Sequence, residues 1–394
     1  MSSLEDAGPR FEFRHEVVDP DPPSRRLGFC ETVDLTGNGR PDVVTGGTGM
    51  KDSLQIRGKG TRFRNYPRLV REFVGYRTAN VFWYENPGWE RHTLSTTRRM
   101  GIGADLADID GDGSIDLVVG QAWDGTDVYW YDQPSDPRRP WTEHLITGDY
   151  SLYHDVQVAD VDDDGEPEVV GLSQNEETIF YYDVPDDPTR SPWPDDHEHV
   201  VTDSVRGSGI AVLDVDGDGR SELVSGTNVY HRADPDGWQW DREQIVAGWD
   251  DVRIATADVD ADGETELILA EGDSPVHGTH MGRLAWVDPP DWTVHLLHDD
   301  LFCPHSLQVG DLTGDGRPDI YVAEQGMGEH ENPRQFVFRN LGGGEFAEHV
   351  IASGIPTHEA KLVDLTGDGR LDVVGKPYHP ERHVDVWYNE TALD

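Results

Sequence analysis

Short apolar runs separated by turns and acidic loops recur from one end of the chain to the other. One kind of run, such as DVVTG, DLVVG and DIYVA, is rich in β-branched residues, and a second kind, such as VFWYENP and VYWYDQP, is aromatic. A third kind, such as WERHTL and WTEHLI, follows the aromatic runs. Runs of this length and composition predict β-strands, so we expect an all-β chain.

A nine-residue acidic motif precedes each β-rich run and occurs seven times. Its copies are DLTGNGRPD from Asp34, DIDGDGSID from Asp108, DVDDDGEPE from Asp160, DVDGDGRSE from Asp214, DVDADGETE from Asp258, DLTGDGRPD from Asp311 and DLTGDGRLD from Asp364. The copies begin 74, 52, 54, 44, 53 and 53 residues apart. This period is typical of propeller blades and is far longer than the coil of a nonapeptide β-helix.

Each repeat predicts one four-stranded antiparallel blade, with strands a to d ordered outward from the axis and the acidic loop joining a to b. The seventh repeat stops after strand c, and FEFRHEVV at Phe11 to Val18 has the pattern of the missing strand d. We expect this strand to pair beside Val384 to Tyr388 and close the ring, which removes open sheet edges. The prediction is a single seven-bladed β-propeller over residues 1–394, with an insertion at residues 48–79 in blade 1.

The acidic loops have the chemistry of a site for a hard cation. Oxygen-bearing side chains occupy positions 1, 3, 5 and 9 of the motif, and the glycine at position 6 allows a tight turn. Calcium suits such a set of oxygen ligands best. The alternative is a network of Asx turns that makes the hairpin rigid without an ion. Either interpretation gives the loops a structural role at the bottom face of the blades.

The repeats resemble the FG-GAP or VCBS repeat family of β-propellers over essentially the whole chain, which implies calcium in the blade loops. In the four loops with acidic residues at every ligand position, the implied ligands are Asp108, Asp110, Asp112, Asp116, Asp160, Asp162, Asp164, Glu168, Asp214, Asp216, Asp218, Glu222, Asp258, Asp260, Asp262 and Glu266. In the three loops of lower charge, with Thr at position 3, they are Asp311, Asp315, Asp319, Asp364, Asp368, Asp372, Asp34, Asn38 and Asp42. The resemblance identifies a fold family and not an activity.

Histidines recur at the opposite, top face of the predicted blades. The residue six before each acidic motif is expected to lie at the mouth of the central channel, and it is histidine in three repeats, at His154, His305 and His358. These imidazoles are candidates for the ligands of a further divalent metal (Zn²⁺, Ca²⁺ or Mg²⁺) or for an acid and a base. The alternative is a set of hydrogen-bonded structural histidines. Six further histidines recur in strand d, where we expect them to pack within the repeat: His15, His92, His144, His199, His295 and His349.

The loops that join strands b and c add polar side chains to the same face. Candidate catalytic groups there are Lys376, Tyr378 and Arg334, and candidate substrate-binding groups are Gln121, Trp123, His330 and His379. The insertion at residues 48–79 is rich in Lys and Arg, including Arg62 and Arg64. A basic segment in so acidic a chain suggests an anionic substrate, such as a uronate or a phosphorylated sugar. The alternatives are pairing with the protein's own acidic surface and a subunit contact.

In function, the chain is similar to the propeller domain of aldos-2-ulose dehydratase and to propeller-fold polysaccharide lyases that cut next to a uronic acid. Both perform eliminations, which need a base, a group that stabilises the enolate and an acid at the leaving oxygen. The resemblance implies a carbon–oxygen lyase or dehydratase acting on an acidic or oxidised sugar at the top of the channel. The alternative is a non-catalytic propeller that binds a glycan or a protein.

The net charge of −45 narrows the range of partners. An Asp-rich surface with few lysines suits a protein kept soluble in concentrated salt, so we expect a halophile's protein. Such a field repels nucleic acid and anionic membranes, and neither is an expected partner. With no signal peptide or membrane-spanning run in the sequence, the expected location is the cytoplasm. Cys30 and Cys303 lack the spacing of a metal site, and we expect both to be buried.

Overall fold

The computed structural model describes residues 10–50, 80–96, 100–122, 125–205, 207, 209–233, 238–327, 330–378 and 381–392. Within these ranges the chain forms seven antiparallel sheets of four strands each. The fold is therefore the all-β, seven-bladed propeller that the repeats predict. One short 3-10 turn, Asp195–His197, precedes the outer strand of blade 3. No helix in these ranges is long and apolar enough to cross a membrane.

The chain divides into two compact units, one over Asp21–Val252 and the other over Met1–Pro20 together with Arg253–Asp394. The first strand, β1 (Phe13–Asp19), belongs to the second of these units and to blade 7. The prediction of a single domain over residues 1–394, with its insertion at residues 48–79, stays a prediction, and residues 51–79 lie outside the described ranges.

The unit over Asp21–Val252 contains blades 1 to 4. Blade 1 comprises β2 (Ser24–Val33), β3 (Asp42–Met50), β4 (Val81–Glu85) and β5 (Glu90–Ser95). Blade 2 comprises β6 (Ala104–Ala107), β7 (Asp116–Gly120), β8 (Val128–Asp132) and β9 (Thr142–Thr147). Blade 3 comprises β10 (Tyr153–Ala159), β11 (Glu168–Ser173), β12 (Thr178–Asp183) and β13 (Glu198–Thr202). Blade 4 comprises β14 (Ile210–Leu213), β15 (Glu222–Ser225), β16 (Asn228–Arg232) and β17 (Trp240–Gln244).

The other unit contains blades 5 to 7, the first strand of blade 5 starting at the unit boundary. Blade 5 comprises β18 (Val252–Ala257), β19 (Glu266–Glu271), β20 (Gly282–Asp288) and β21 (Thr293–Leu301). Blade 6 comprises β22 (Ser306–Gly310), β23 (Asp319–Ala323), β24 (Arg334–Gly342) and β25 (Glu345–Ser353). Blade 7 comprises β26 (Glu359–Val363), β27 (Asp372–Lys376), β28 (Val384–Asn389) and, as its outer strand, β1.

The N-terminal strand completes blade 7, as the sequence predicts. β1 pairs antiparallel with β28, with Phe13 opposite Asn389 and Arg14 opposite Tyr388. The backbone N–H of Glu12 also donates to the Thr391 hydroxyl over 3.0 Å. The strand begins two residues later than expected and ends one residue later. Its pairing covers what would otherwise be an open edge of the sheet.

Strand b of each blade is apolar because both of its faces are buried. All five residues of β7 and all six residues of β11 and β19 are buried. A continuous apolar run fits a strand with no solvent-facing side. Neighbouring blades share their cores, so that Trp83 of blade 1 and Leu117 of blade 2 belong to one cluster. Ile268 of blade 5 and Ile320 of blade 6 likewise belong to one cluster within the other unit.

Tryptophans link the outer parts of neighbouring blades by a repeated hydrogen-bond arrangement. The indole N–H groups of Trp83 and Trp141 both donate to the backbone carbonyl of Pro137, over 3.3 and 3.1 Å. Trp130 and Trp193 do the same at Pro188, over 3.1 and 3.0 Å. Each of these four indoles therefore has a partner for its only donor, and pairs from successive blades are held together.

Candidate functional site

Two of the three histidines predicted to share a repeat position stack on one another. His305 directly precedes β22 and His358 directly precedes β26, so both lie at the start of strand a in adjacent blades of one unit. Their rings are 3.8 Å apart between centroids and nearly parallel, with an interplanar angle of 22°. The His305 Nδ1 atom lies 2.8 Å from the backbone carbonyl oxygen of His358. The pair is buried, with exposed fractions of 2% and 3%, so charges that develop there are weakly screened.

Lys376 and Tyr378 both contact His358. Lys376 is completely buried, and its Nζ atom lies 3.0 Å from His358 Nδ1 and 3.4 Å from a carboxylate oxygen of Glu359. The Tyr378 ring stacks on His358 with a centroid distance of 4.7 Å. Strand pairing sets this arrangement, because Lys376 stands opposite Glu359 in the β26–β27 ladder. Four predicted residues, one from the sixth repeat and three from the seventh, are thus contiguous.

Arg334 and His330 meet at a buried carboxylate that the sequence analysis did not single out. Glu324, with no exposed surface, accepts from Arg334 Nη2 over 2.6 Å, from Arg334 Nε over 3.2 Å and from His330 Nε2 over 3.0 Å. The His330 ring stacks on Phe302 at 4.4 Å. The guanidinium and imidazole hold the pKa of Glu324 below its usual value even though burial by itself would raise it. The geometry therefore favours a supporting role for Arg334 and His330.

Glu324 also anchors the backbone on both sides of the histidine pair. Its carboxylate accepts the N–H of Phe302 over 2.9 Å, three residues before His305. Its backbone carbonyl accepts the N–H of Thr357 over 3.2 Å, directly before His358. The Arg334–Glu324 pair thus positions the two segments that carry the imidazoles.

Blade 5 contains a second copy of this carboxylate network. Glu271 is fully buried and accepts from Arg283 over two bonds of 2.7 Å and from His280 over 3.0 Å. In both blades the Glu lies at the end of strand b, as the last residue of β19 or the residue after β23, the His lies in the b-to-c loop, and the Arg lies at the start of strand c. The recurrence indicates that this Glu–Arg–His network fixes the b-to-c loops of these two blades.

A further acidic group approaches His305 within the same unit. A carboxylate oxygen of Asp273 and a ring nitrogen of His305 lie within 4.8 Å of each other. Burial raises the pKa of Asp273. Gln325 holds this side chain by a 2.8 Å hydrogen bond from its amide nitrogen to the Asp273 carboxylate. When ionised, a carboxylate at this distance stabilises a protonated imidazole.

The remaining candidates are His154, Gln121 and four residues outside the described ranges. His154 is the second residue of β10 in the unit with blades 1 to 4 and is buried. Gln121 follows β7 in that unit, and its side-chain oxygen accepts the N–H of Asp127 over 3.4 Å, which closes the b-to-c loop of blade 2. The candidates outside the described ranges are Arg62, Arg64, Trp123 and His379.

The histidines of strand d pack on aromatic rings, as the repeat pattern predicts. The closest stack joins His199 and Trp238, with centroids 3.6 Å apart and an interplanar angle of 9°. His295 and Trp286 follow, at 3.8 Å and 5°. His92 and His144 lie 4.5 Å from the rings of Trp83 and Trp130. His15 stacks on Trp387 at 5.0 Å, and His349 meets Phe11 edge-on at 5.1 Å. These side chains take part in the aromatic packing of the outer strands.

The seven acidic loops share one hydrogen-bonded turn. In each loop a carboxylate oxygen of the first Asp accepts the N–H of the glycine at position 6, over distances from 2.7 Å at Asp34 to 3.1 Å at Asp258. These glycines have φ between +81° and +97°, a conformation that other residues adopt only with strain. The Asx-turn scaffold is therefore present in every loop, and cation binding is a separate question.

The acid at position 9 closes each loop and distinguishes two kinds. In all seven loops, one of its oxygens accepts the backbone N–H of position 2. Where this acid is Asp, as in Asp319, the second oxygen accepts a further N–H from the end of strand c. Where it is Glu, the extra methylene leaves that oxygen in the loop, and Glu266 Oε1 is buried without a hydrogen-bond partner. Burial raises the pKa of Glu168 to about 8 and that of Glu266 to about 7.

Several loops have oxygen atoms close enough together to hold one cation. In blade 5, Asp258, Asp260, Asp262 and Glu266 each place a carboxylate oxygen within 4.8 Å of the others, and similar groups occur in blades 2 and 3. In blade 4 the group is Asp216, Glu222 and His231. The buried orphan oxygen of Glu266 needs a positive partner, which a hard cation supplies. These residues therefore fit calcium.

Arginine occupies the corresponding place in blade 6. Arg339, 5% exposed, stands at the strand-c position that is acidic in blades 1, 2, 3 and 5. Its Nη2 atom lies 3.5 Å from the Asp315 carboxylate, and Arg317 also pairs with Asp315. Two guanidinium groups thus neutralise the loop in which Thr313 replaces an acidic ligand.

Two stretches of the chain, residues 108–171 and 311–375, match the family model of the FG-GAP-like repeat. Each stretch begins at the first Asp of an acidic loop, in blades 2 and 6, and ends in or after strand b of the following blade. The chain is a seven-bladed β-propeller with FG-GAP-like repeats. No curated protein matches this FG-GAP propeller by sequence.

Solved structures similar to this FG-GAP propeller carry diverse functions. BBS1N, solved in complex with ARL6DN, is 12% identical, with a TM-score of 0.58 and coverage of 96% of both chains. The Vibrio cholerae biofilm matrix protein Bap1 is 12% identical, with a TM-score of 0.54 and coverage of 96% of this chain and 91% of that one. A fungal alcohol oxidase in complex with copper is 12% identical, with a TM-score of 0.54 and coverage of 97% and 76%. Likeness at this identity shows the fold alone.

Sequence reasoning missed several partners in this FG-GAP propeller. They are Glu271, Asp273, Glu324, Gln325 and Glu359. The Glu…His…Arg pattern at 271, 280 and 283 and at 324, 330 and 334 was the available signal for the two buried networks. Asp273 and Glu359 carry no such signal, because their contacts depend on how successive strands are placed.

Proposed function

We propose that this chain is a carbon–oxygen lyase or dehydratase that acts by β-elimination on an acidic or oxidised sugar. The observation that supports the proposal is the contiguous buried row of His305, His358 and Lys376. Elimination needs a base for the proton α to a carbonyl or carboxylate and an acid for the leaving oxygen. The row offers imidazoles for both tasks.

The surroundings of the row suit this chemistry better than passive binding. A surface that recognises a glycan without chemistry is expected to be flat, exposed and aromatic, whereas His305, His358 and Lys376 are nearly or fully buried. Burial strengthens the electrostatic interactions of Lys376 with His358 and Glu359. The pair of half-buried Arg334 and fully buried Glu324 keeps the row in place, which is the support that a preorganised site requires.

An anionic substrate fits the distribution of charge in the sequence. The basic insertion at residues 48–79, of which residues 51–79 lie outside the described ranges, remains the proposed binding segment for a uronate or phosphorylated sugar. The Asp-rich composition supports a setting of concentrated salt, and we propose a high-salt cytoplasm for the same reason.

For the acidic loops we propose calcium as a structural cofactor. The loops of blades 3 and 5 are the strongest candidates, because each contains an acidic cluster and a position-9 Glu with one oxygen not taken by the turn. When bound, the ion supplies positive charge that offsets the repulsion among the loop carboxylates. It takes no part in the elimination, since each loop lies at the end of the a–b hairpin opposite to the start of strand a.

The proposed activity is tested by assaying the purified protein on uronate-containing oligosaccharides and on 2-ketosugars, with ultraviolet absorbance reporting the unsaturated product. We expect wild-type protein to form the product, and His305→Ala and His358→Ala each to lose about 100-fold or more in kcat/KM, the usual loss for an acid or base. The melting temperatures of both variants should stay close to that of the wild-type protein. His349→Ala, which removes a strand-d ring that meets Phe11 edge-on, is the matched control and should keep its activity. Absence of product from every substrate with folded wild-type protein would contradict the proposal.

A further inference from the structure

The contacts of His358 define which of its nitrogens carries the proton. Lys376 lies against His358 Nδ1 at 3.0 Å and beside the Glu359 carboxylate at 3.4 Å. A lysine next to a carboxylate is held as the ammonium ion, which donates hydrogen bonds and cannot accept them. Nδ1 of His358 is therefore the acceptor, and the neutral ring carries its proton on Nε2.

His305 has the opposite arrangement. Its Nδ1 atom faces the backbone carbonyl oxygen of His358 at 2.8 Å, and a carbonyl oxygen can only accept, so Nδ1 carries a proton. The basic position of the neutral ring is then Nε2. Because the two rings stack at 3.8 Å, positive charge on both would be repulsive, and only one of them takes up a proton at a time. Asp273, within 4.8 Å, favours His305 as that one.

We propose that Lys376 is the proton source of the elimination and that His358 relays its proton to the leaving oxygen, while His305 acts as the base. This inference rests on the proposed function. Lys376 acts through His358 and is a positioning and proton-supplying residue, and the two imidazoles are the groups that meet the substrate. Tyr378, stacked on His358, fixes the plane of the relay ring.

The proton movements balance in one step. Nε2 of His305 takes the proton α to the carboxylate or carbonyl, the C–H electron pair becomes the new C=C bond, and the C–O bond to the leaving group breaks. The leaving oxygen takes the Nε2 proton of His358 as His358 Nδ1 takes a proton from Lys376. One positive charge passes from Lys376 to His305, so the total charge of the row is unchanged. Exchange with water afterwards restores both groups.

The relay predicts a dependence on the leaving group that a purely structural lysine would not produce. Two probes test it: a hexuronate with methoxide at the carbon β to the acidic C–H, and the same hexuronate with 4-nitrophenoxide there. Lys376→Met should lower kcat/KM for the methoxide probe by about 100-fold or more, the loss expected for removing an acid catalyst. The nitrophenoxide probe should lose less than about tenfold, because that group leaves without a proton. His305→Ala should lower both equally.

A second variant and a spectroscopic measurement keep the test decisive if Lys376→Met folds poorly. His358→Gln retains a polar side chain but cannot relay a proton, and it should show the same selective loss. Nitrogen-15 histidine spectra of the wild-type protein, with the His358 signal identified by its absence in His358→Gln, should show that ring protonated at Nε2. A His358 protonated at Nδ1, or equal losses on the two probes, would overturn the relay alone. A wild-type protein inactive on both probes would overturn the proposed function together with the relay.

Discussion

Glu324→Gln replaces the carboxylate that holds Arg334, His330 and the backbone around the histidine pair. The native side chain accepts hydrogen bonds from five N–H groups, two of them on the Arg334 guanidinium. The amide of Gln has one acceptor oxygen, and its NH₂ group would face donors. Breaking a buried ion pair by removing one partner costs about 3–5 kcal/mol of unfolding free energy. Because the Arg334 side chain is 30% exposed, we expect the lower end, about 3 kcal/mol.

The expected change is measurable by thermal unfolding. The unit that contains Glu324 has 142 residues in Arg253–Asp394 and 20 in Met1–Pro20, or 162 in total. For a cooperative unit of about this size, 1 kcal/mol shifts the melting temperature by about 2–4 °C, so the variant should melt about 6–12 °C lower. The matched control is Glu331→Gln, an exposed carboxylate in the same b-to-c loop, which should shift melting by less than about 1–2 °C.

The pH dependence of the difference provides a second check. The pKa of Glu324 is lowered in the folded protein, so its contribution is present above the unfolded pKa of about 4.3 and is lost as the pH falls through the folded value. The melting temperatures of wild-type protein and Glu324→Gln should therefore differ by the full amount at pH 7 and converge in strong acid. A variant that melts within about 1 °C of wild type at pH 7 would refute the buried ion pair as an organising element of blade 6.

Two further predictions concern the acidic loops. In chelator, the free energy of unfolding should increase as the pH falls from about 8 to about 5.5, because the raised pKa values of Glu168 and Glu266 mean that the folded state binds more protons than the unfolded state in that window. Calcium should therefore raise the melting temperature more at pH 8 than at pH 5.5. A calcium effect independent of pH would count against these carboxylates as ligands. Arg339→Asp should increase the calcium bound at saturation by one equivalent in equilibrium dialysis, because it replaces the guanidinium beside Asp315 with a ligand. The control Arg40→Asp, at an exposed loop position, should add none. Unchanged stoichiometry in the folded Arg339→Asp protein would show that this arginine does not take the place of a cation.

The strand pattern of each blade was predictable from sequence because the same pattern of apolar runs and turns recurs in every repeat. The acidic motif marks the a-to-b turn, and its glycine at position 6 is required by a positive φ that recurs in all seven loops. The pairing of β1 with β28 was predictable for a related reason: the seventh repeat lacks an outer strand, and one matching segment stands at the other end of the chain. The stacking of strand-d histidines on aromatic rings follows from the same alternation on paired strands.

The candidate site was only partly predictable, since a repeat position specifies where a residue stands along a strand but not what its side chain meets. His305 and His358 share a repeat position 53 residues apart, and the sequence placed both at the start of strand a. Their stacking depends on the spacing of adjacent blades, and the pairing of Arg334 with Glu324 depends on side-chain conformations at the two ends of one loop. The sequence by itself therefore determined the number of blades, their strand order and the identity of the loop residues, through local patterns that repeat. Only the tertiary structure decided which charges are buried together, because burial and short contacts between distant residues arise from packing and are not encoded in any local period.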